Sequence, residues 1–140
     1  MLKTDLLHPE ILAALGSMGH GSKVLICDGN YPFTTGSNPA AKHVYLNLRP
    51  GVLKVTEVLA ALVTALPIEA AEVMMPGAGD EPPIFAEFRD QLPGMQLESM
   101  GRFQFYDSAR ESAVGLVIAT GEQRIYANLL LTIGVVPPPE

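Results

Sequence analysis

With 140 residues, 48% of them hydrophobic and 17% charged, the chain has the size and composition of one packed domain and is too apolar for disorder. Nine basic residues against 15 acidic ones give a net charge of −6, which excludes the basic surface that nucleic-acid binding requires. No apolar run reaches the roughly 20 residues of a membrane span, and Asp5, His8 and Glu10 lie where a secretory signal would be apolar.

We therefore expect one soluble, cytoplasmic domain over residues 1–140, with no membrane partner. In its first half we predict a helix over 2–18, a strand over 23–27, a loop over 28–42, a strand over 44–48 and a helix over 52–66. Pro9 suits the first turn of a helix, and Pro67 ends the second helix. The segment 23–27 is a continuous apolar run, which is typical of a strand buried on both faces.

The second half continues the alternation of strands and helices. We predict a strand over 70–75, a loop over 76–80, a helix over 84–92, a strand over 114–119, a turn over 120–123 and a strand over 124–135. The segment 103–111 is ambiguous, with a helix as one interpretation, and residues 137–140 are expected to fray. The alternation predicts the α/β class, as a single three-layer α/β/α domain with a mixed central sheet.

Motifs for nucleotides and metals are missing from the sequence. Gly21-Ser22-Lys23 lacks the order of a phosphate loop and precedes a strand instead of following it, while Gly77 and Gly79 lack the third glycine of a dinucleotide fingerprint. The three histidines do not show the i,i+2 or i,i+4 spacing of metal ligands, and Cys27 is the only cysteine. We expect no metal, no cofactor and no internal disulfide.

His20 and Asp28 are the first candidate functional residues. Asp28 directly follows the strand over 23–27, at the carboxyl end where α/β sheets bind ligands. Gly19 and Gly21 leave the imidazole of His20 open to a ligand, and histidine transfers protons near neutral pH. In the alternative interpretation His20 caps a helix and Asp28 forms a turn. The spacing alone leaves both interpretations open.

Three further segments also have two interpretations each. Cys27 ends an apolar strand, which favours inert burial over a nucleophilic role. Arg102 precedes the aromatic segment 103–106 and is either a surface residue lying over the rings or a hydrogen-bond donor for a polar ligand. Tyr126 and Asn128 either pack at a sheet edge beside a turn, or offer the neutral donors and acceptors that suit sugar hydroxyls.

Four motifs in series give the chain a resemblance to a known family. They are Met18-Gly19-His20-Gly21, Cys27-Asp28-Gly29-Asn30-Tyr31-Pro32, Arg102-Phe103-Gln104-Phe105-Tyr106, and Ala119-Thr120-Gly121-Glu122 leading to Tyr126-Ala127-Asn128. In this order and spacing they resemble the D-ribose pyranase / L-fucose mutarotase family over residues 2–136. The arginine that begins the third motif resembles the L-fucose branch, because ribose pyranases tend to have a histidine there.

Two segments depart from the L-fucose branch. Ala127 stands where that branch commonly has a glycine, and the loop over 33–40 differs in length and composition. Both departures bear on the choice of sugar. The resemblance implies L-fucose as the substrate, with a D-ribose pyranase as the alternative.

The resemblance implies an isomerase that interconverts the anomers of a free monosaccharide by opening and closing its hemiacetal ring. It implies that His20 is the general acid/base, that Asp28 binds the sugar and orients His20, and that Arg102 binds sugar hydroxyls. The segment Tyr126-Ala127-Asn128 would hold the ring and anomeric oxygens, with its tyrosine as a second proton relay. Such a reaction requires neither cofactor nor metal.

The resemblance also implies a decamer of two stacked five-membered rings, in which the Tyr126-Ala127-Asn128 segment of one chain completes a neighbour's pocket. The composition favours a homo-oligomer, because 17% charged residues leave much apolar surface for a lone monomer to expose. Two other functional classes stay open: a non-catalytic sugar-binding module that does not need His20, and a structural protein without converging polar groups.

Overall fold

The computed structural model describes residues 1–140. Its elements in chain order are α1 (Pro9–Gly16), β1 (Lys23–Cys27), β2 (Lys42–Tyr45), α2 (Val55–Leu62), β3 (Ile68–Met74), α3 (Ile84–Gln91), β4 (Leu97–Met100), α4 (Arg102–Ala109), β5 (Val114–Ala119) and β6 (Leu129–Ile133). Each helix has eight residues, a length insufficient to cross a membrane.

One mixed sheet of six strands, in the order β2-β5-β1-β6-β3-β4, organises the chain. Both β1 and β2 pair parallel with β5, β3 pairs parallel with β4, and β6 pairs antiparallel with β1 and β3. Five strands therefore run in one direction, and β6 runs in the other. The carboxyl ends of the five parallel strands, β1–β5, and the start of β6 lie together at what we call the carboxyl end of the sheet. The opposite side is the amino end.

Alternate residues of the strands pack into two hydrophobic cores on opposite faces of the sheet. In β1, Val24 and Ile26 belong to the larger core, to which α1, α2 and α3 contribute. Leu25 and Cys27 belong to the smaller core, which α4 covers with Phe105. The three-layer α/β/α architecture with a mixed central sheet is therefore confirmed.

The first two helices are shorter than predicted. In α1, His8 caps the helix by accepting a hydrogen bond from the Ile11 N–H at 3.4 Å, and Pro9 occupies the first turn, so residues 2–7 lie outside it. The predicted helix over 52–66 begins only at Val55, because residues 49–52 form a turn closed by the Val52 N–H and the Arg49 carbonyl.

The strands depart from the predictions in three places. Strand β4 was not predicted, because it has only four residues and its two middle positions are exposed, which leaves little apolar pattern. The predicted strand over 44–48 lies at Lys42–Tyr45. The predicted strand over 124–135 begins only at Leu129, since the preceding residues turn at Tyr126. The ambiguous segment 103–111 lies largely in α4.

Candidate functional site

A cleft of about 300 Å³ lies at the carboxyl end of the sheet. Three chain segments that meet there supply polar side chains: the residue after β1, the first residue of α4, and the turn before β6. The predicted site residues that line the cleft are Asp28, Arg102, Tyr126 and Asn128. The volume is that of a small-molecule site, so the structure brings together four of the six predicted residues within one chain.

Asp28 links the loop after β1 to the turn before β6. One carboxylate oxygen accepts a hydrogen bond from the Asn30 N–H at 2.9 Å, and the other accepts one from the Ala127 N–H at 3.1 Å. The N–H of Asp28 donates to Oδ1 of Asn128 at 2.9 Å. Burial raises the pKa of Asp28, and these hydrogen bonds oppose the rise without cancelling it. The carboxyl group is thus held rigidly in the cleft wall.

The turn before β6 depends on an uncommon backbone conformation at Tyr126, which has a φ of +58°. A tyrosine in this left-handed region is strained, and such strain is typical of functional sites. The turn aims the N–H of Ala127 at Asp28 and places the Asn128 amide beside the Asp28 backbone. The methyl group of Ala127 is fully buried in the larger core. Contrary to the expectation, Ala127 does not line the cleft.

Arg102 begins α4 and lies against aromatic rings. Its Nε donates to the Tyr106 hydroxyl at 3.2 Å, and its guanidinium lies 5.2 Å from the Phe103 ring centroid and 5.6 Å from that of Tyr106. The two interpretations of this arginine therefore combine, since the side chain stacks on the rings and also lines the cleft. Tyr106 was not singled out from the sequence, yet its ring also lines the cleft.

His20 lies at the amino end of the sheet, away from the cleft. It precedes β1, whose five residues separate it from Asp28 by about 16 Å. Its Nε2 lies 3.1 and 3.0 Å from the two carboxylate oxygens of Glu69, at the start of β3, and 59% of its side chain is exposed. The expectation that Asp28 orients His20 is therefore wrong within one chain, where Glu69 holds the imidazole.

Some residues of the cleft and of the His20–Glu69 pair lie in the sequence motifs, and others lie in none. Asn30, Tyr31 and Tyr106 line the cleft and lie inside the motifs already noted, so those motifs could have yielded them. Glu69 and Met74 lie at opposite ends of β3 and belong to no motif. Only the strand order reveals that β3 brings one of them to His20 and the other to the cleft.

The surroundings of Cys27 determine whether its thiol could act as a nucleophile. The Cys27 thiol is buried, and burial together with the neighbouring Asp28 raises its pKa, which disfavours the reactive thiolate. Inert burial is therefore the interpretation that its surroundings favour. No three His, Cys, Asp or Glu side chains are grouped so that they could hold a metal ion.

Glu122 follows β5 and links the carboxyl end of the sheet to the start of α2. It is 3% exposed and accepts hydrogen bonds from Nε and Nη2 of Arg124 at 3.0 and 3.1 Å and from the Val55 N–H, at the start of α2, at 3.3 Å. Burial alone would raise the pKa of Glu122, but the Arg124 hydrogen bonds and charge hold it below its usual value.

Replacing Arg124 by glutamine is expected to lower the free energy of unfolding at pH 7 by about 1–2 kcal/mol, because it leaves a buried carboxylate without its charged partner. A carboxyl group with a lowered pKa stabilises the fold above its unfolded pKa and stops doing so as the pH falls through its folded value. The loss should therefore shrink on acidification, in urea unfolding followed by circular dichroism. Arg89→Gln, at an exposed pair with Glu81, is the control and should change little.

Comparisons with known proteins identify a matching family, similar sequences and similar folds. The model of the RbsD / FucU transport protein family matches residues 1–136. A fucose mutarotase of Bos taurus is 32% identical over 95% of this chain and 92% of its own, and a D-ribose pyranase of Streptomyces griseus is 31% identical over 96% and 98%. The crystal structure of a fucose mutarotase from Streptococcus pneumoniae in complex with L-fucose is similar at a TM-score of 0.83 and 26% identity, over 98% of this chain and 100% of that one.

Proposed function

The chain belongs to the RbsD / FucU transport protein family, and on that premise we propose that it is an isomerase that interconverts the anomers of a free aldopyranose, with L-fucose as its preferred sugar. The observation that carries the proposal is the cleft, where charged and neutral hydrogen-bonding side chains converge. The similar fucose mutarotases support the choice of sugar. We further propose that the enzyme acts in the cytoplasm.

The reaction needs one proton removed and one proton supplied. A base takes the proton of the anomeric hydroxyl while an acid protonates the ring oxygen, so the bond between C1 and the ring oxygen breaks and an aldehyde forms. Rotation about the C1–C2 bond presents the other face of the aldehyde. Attack by the same hydroxyl then closes the ring to the other anomer, with the two protons returned. Positioned acid/base groups supply roughly 10²–10⁴-fold acceleration of such steps.

His20 is the proposed acid/base because its surroundings fix one ring nitrogen and leave the other free. Glu69 accepts a hydrogen bond from Nε2, which favours the tautomer with an unprotonated Nδ1. Arg102 stays protonated and therefore binds sugar hydroxyls without moving a proton. Asn128 and Tyr126 are proposed to hold the ring and anomeric oxygens, with the Tyr126 hydroxyl as the second relay. Asp28 completes the cleft as an acceptor.

The separation of His20 from the cleft supports a site formed between two copies of the chain. We propose that the His20 of one copy meets the Asp28, Arg102, Tyr126 and Asn128 cleft of the next. Such a head-to-tail contact closes into a ring when its rotation permits, and a two-fold contact stacks two rings. The proposed assembly is the decamer of two five-membered rings. In this assembly the neighbouring copy contributes His20. The initial expectation was that it contributes the 126–128 segment, but that segment is hydrogen-bonded to Asp28 of its own chain.

Exchange NMR on a mixture of free sugars tests the substrate. With L-fucose, D-ribose, galactose and glucose in one sample, we expect the protein to broaden or exchange the anomeric signals of L-fucose most. Faster exchange of D-ribose would overturn the assignment in favour of a D-ribose pyranase. Ala127 and the 31% identity to a ribose pyranase make that the second candidate. No acceleration for any sugar would overturn the isomerase itself.

Removing metal ions is expected to leave the exchange rate unchanged, because the proposed protons move between side chains and sugar alone. The measurement compares anomer exchange before and after EDTA treatment and dialysis. A rate that is lost on this treatment and restored by a divalent cation would contradict the mechanism. Dialysis without EDTA controls for losses caused by handling.

A further inference from the structure

We propose that a second cavity beside the cleft binds a small polyhydroxylated anion, that is, a sugar acid or a sugar phosphate. This cavity has a volume of about 410 Å³ and lies at the carboxyl ends of β1, β2 and β5. We call it the Arg49 cavity. It has no hydrophobic lining residue, and Asn30 is part of both its wall and the wall of the cleft.

The frame of the Arg49 cavity is fixed by close backbone contacts. Arg49 is carried by the turn over 49–52, in which Gly51 has a φ of +85° and donates its N–H to the Gly121 carbonyl at 2.6 Å. The Gly121 N–H donates to the Leu53 carbonyl at 3.0 Å. A Cβ on Gly121 would collide with the carbonyl oxygens of Arg49 and Val52, so only glycine lets the turn lie directly on the end of β5.

Hydrogen-bonding groups in this frame have no partner within the chain. The side chains concerned are Asn30, Asn47, Arg49 and Gln123, which are exposed to solvent and make no side-chain hydrogen bond or ion pair within the chain. Glu122 also lines the cavity, and its carboxylate is paired with Arg124, which pairs with Glu87 as well. Arg49 is the one cation among the lining residues and forms no ion pair, in a chain whose net charge is −6.

The donor set identifies the class of ligand. A guanidinium group presents a planar fork that binds a carboxylate or a phosphate through two parallel hydrogen bonds. The three carboxamides each donate and accept, which is the pattern that hydroxyl groups satisfy. A bare anion would leave the carboxamides unused, and a neutral sugar would leave Arg49 without a counter-charge. A monosaccharide with one acidic group uses both and fits the volume.

Isothermal titration calorimetry with four probes tests this proposal: gluconate, ribose 5-phosphate, inorganic phosphate and neutral ribitol. We expect gluconate or ribose 5-phosphate to bind more tightly than inorganic phosphate and ribitol. Arg49→Gln should raise the Kd of the tighter probe at least about tenfold, because it removes a charge-assisted hydrogen-bonding fork. It should leave anomer exchange unchanged, since Arg49 lies outside the cleft.

Two matched arginine variants separate the Arg49 cavity from other sites. Arg89→Gln removes an arginine that does not line the cavity and is paired with Glu81, and Arg102→Ala impairs the cleft, so both should keep the wild-type Kd. Loss of binding in Arg102→Ala would place the ligand in the cleft and overturn the proposal. No binding of any probe, equal binding of inorganic phosphate or ribitol, or an unchanged Kd in Arg49→Gln would overturn it as well. Because the experiment measures binding, its result does not depend on whether the protein catalyses anomer exchange.

Discussion

Replacing His20 by alanine is expected to lower the rate of anomer exchange by roughly 10²-fold or more, the lower range for losing a general acid/base. The imidazole has one ring nitrogen held by Glu69 and the other free, which is the arrangement that the proposed acid/base role requires. Because 59% of the side chain is exposed, the substitution removes little packing and should leave the melting temperature nearly unchanged. The rate is measured by exchange NMR at saturating L-fucose.

His8→Ala is the matched control for this experiment. His8 caps α1 and touches neither the cleft nor Glu69, so its loss should lower stability by about 1 kcal/mol and leave exchange intact. Arg102→Ala should chiefly raise KM, because an arginine cannot shuttle protons. Near-normal exchange in His20→Ala would mean that Tyr126, and not His20, carries out the proton transfer. If His20→Ala still binds sugar but no longer accelerates exchange, the enzyme is supported over a sugar-binding module.

The candidate residues could be predicted from the sequence where local patterns mark them, and their spatial grouping could not. Asp28 is found because β1 is an unbroken apolar run that ends just before it, and the predicted bounds 23–27 are those observed. Glu69 contacts His20 across 49 residues of sequence, and no local pattern marks that contact. It arises because β3 and β1 are parallel neighbours of the same antiparallel strand, β6.

The same pairing explains why sequence reasoning grouped His20 with Asp28. Asp28 comes eight positions after His20, which is close in sequence, but the five residues of β1 between them are extended and span about 16 Å. Asn128 lies 100 residues from Asp28 and yet accepts a hydrogen bond from its backbone. The reversed direction of β6 causes this, because its first residues reach the end of the sheet where β1 finishes.

Mixing two inactive variants, His20→Ala and Asn128→Ala, is expected to restore activity after dissociation and reassociation. Each site in the proposed ring takes His20 from one copy and the cleft from its neighbour. In an equal mixture about one quarter of the contacts join an intact His20 to an intact cleft, so about one quarter of the wild-type rate should return. Should Asn128→Ala not fold, Arg102→Ala replaces it at low sugar concentration, since Arg102 is exposed and its loss disturbs no core.

The decisive control mixes Arg102→Ala with Asn128→Ala. Both residues line the cleft of a single chain. Every cleft in this mixture therefore carries one of the two substitutions, and no activity beyond that of the two variants should return. Recovery in this mixture would instead mean that the 126–128 segment completes a neighbour's pocket, as the sequence motifs first implied. If the His20→Ala and Asn128→Ala mixture stays inactive despite verified subunit exchange, or light scattering finds a monomer, the site does not form between copies. His20 must then reach a sugar at the amino end of its own sheet, with Glu69 as its neighbour.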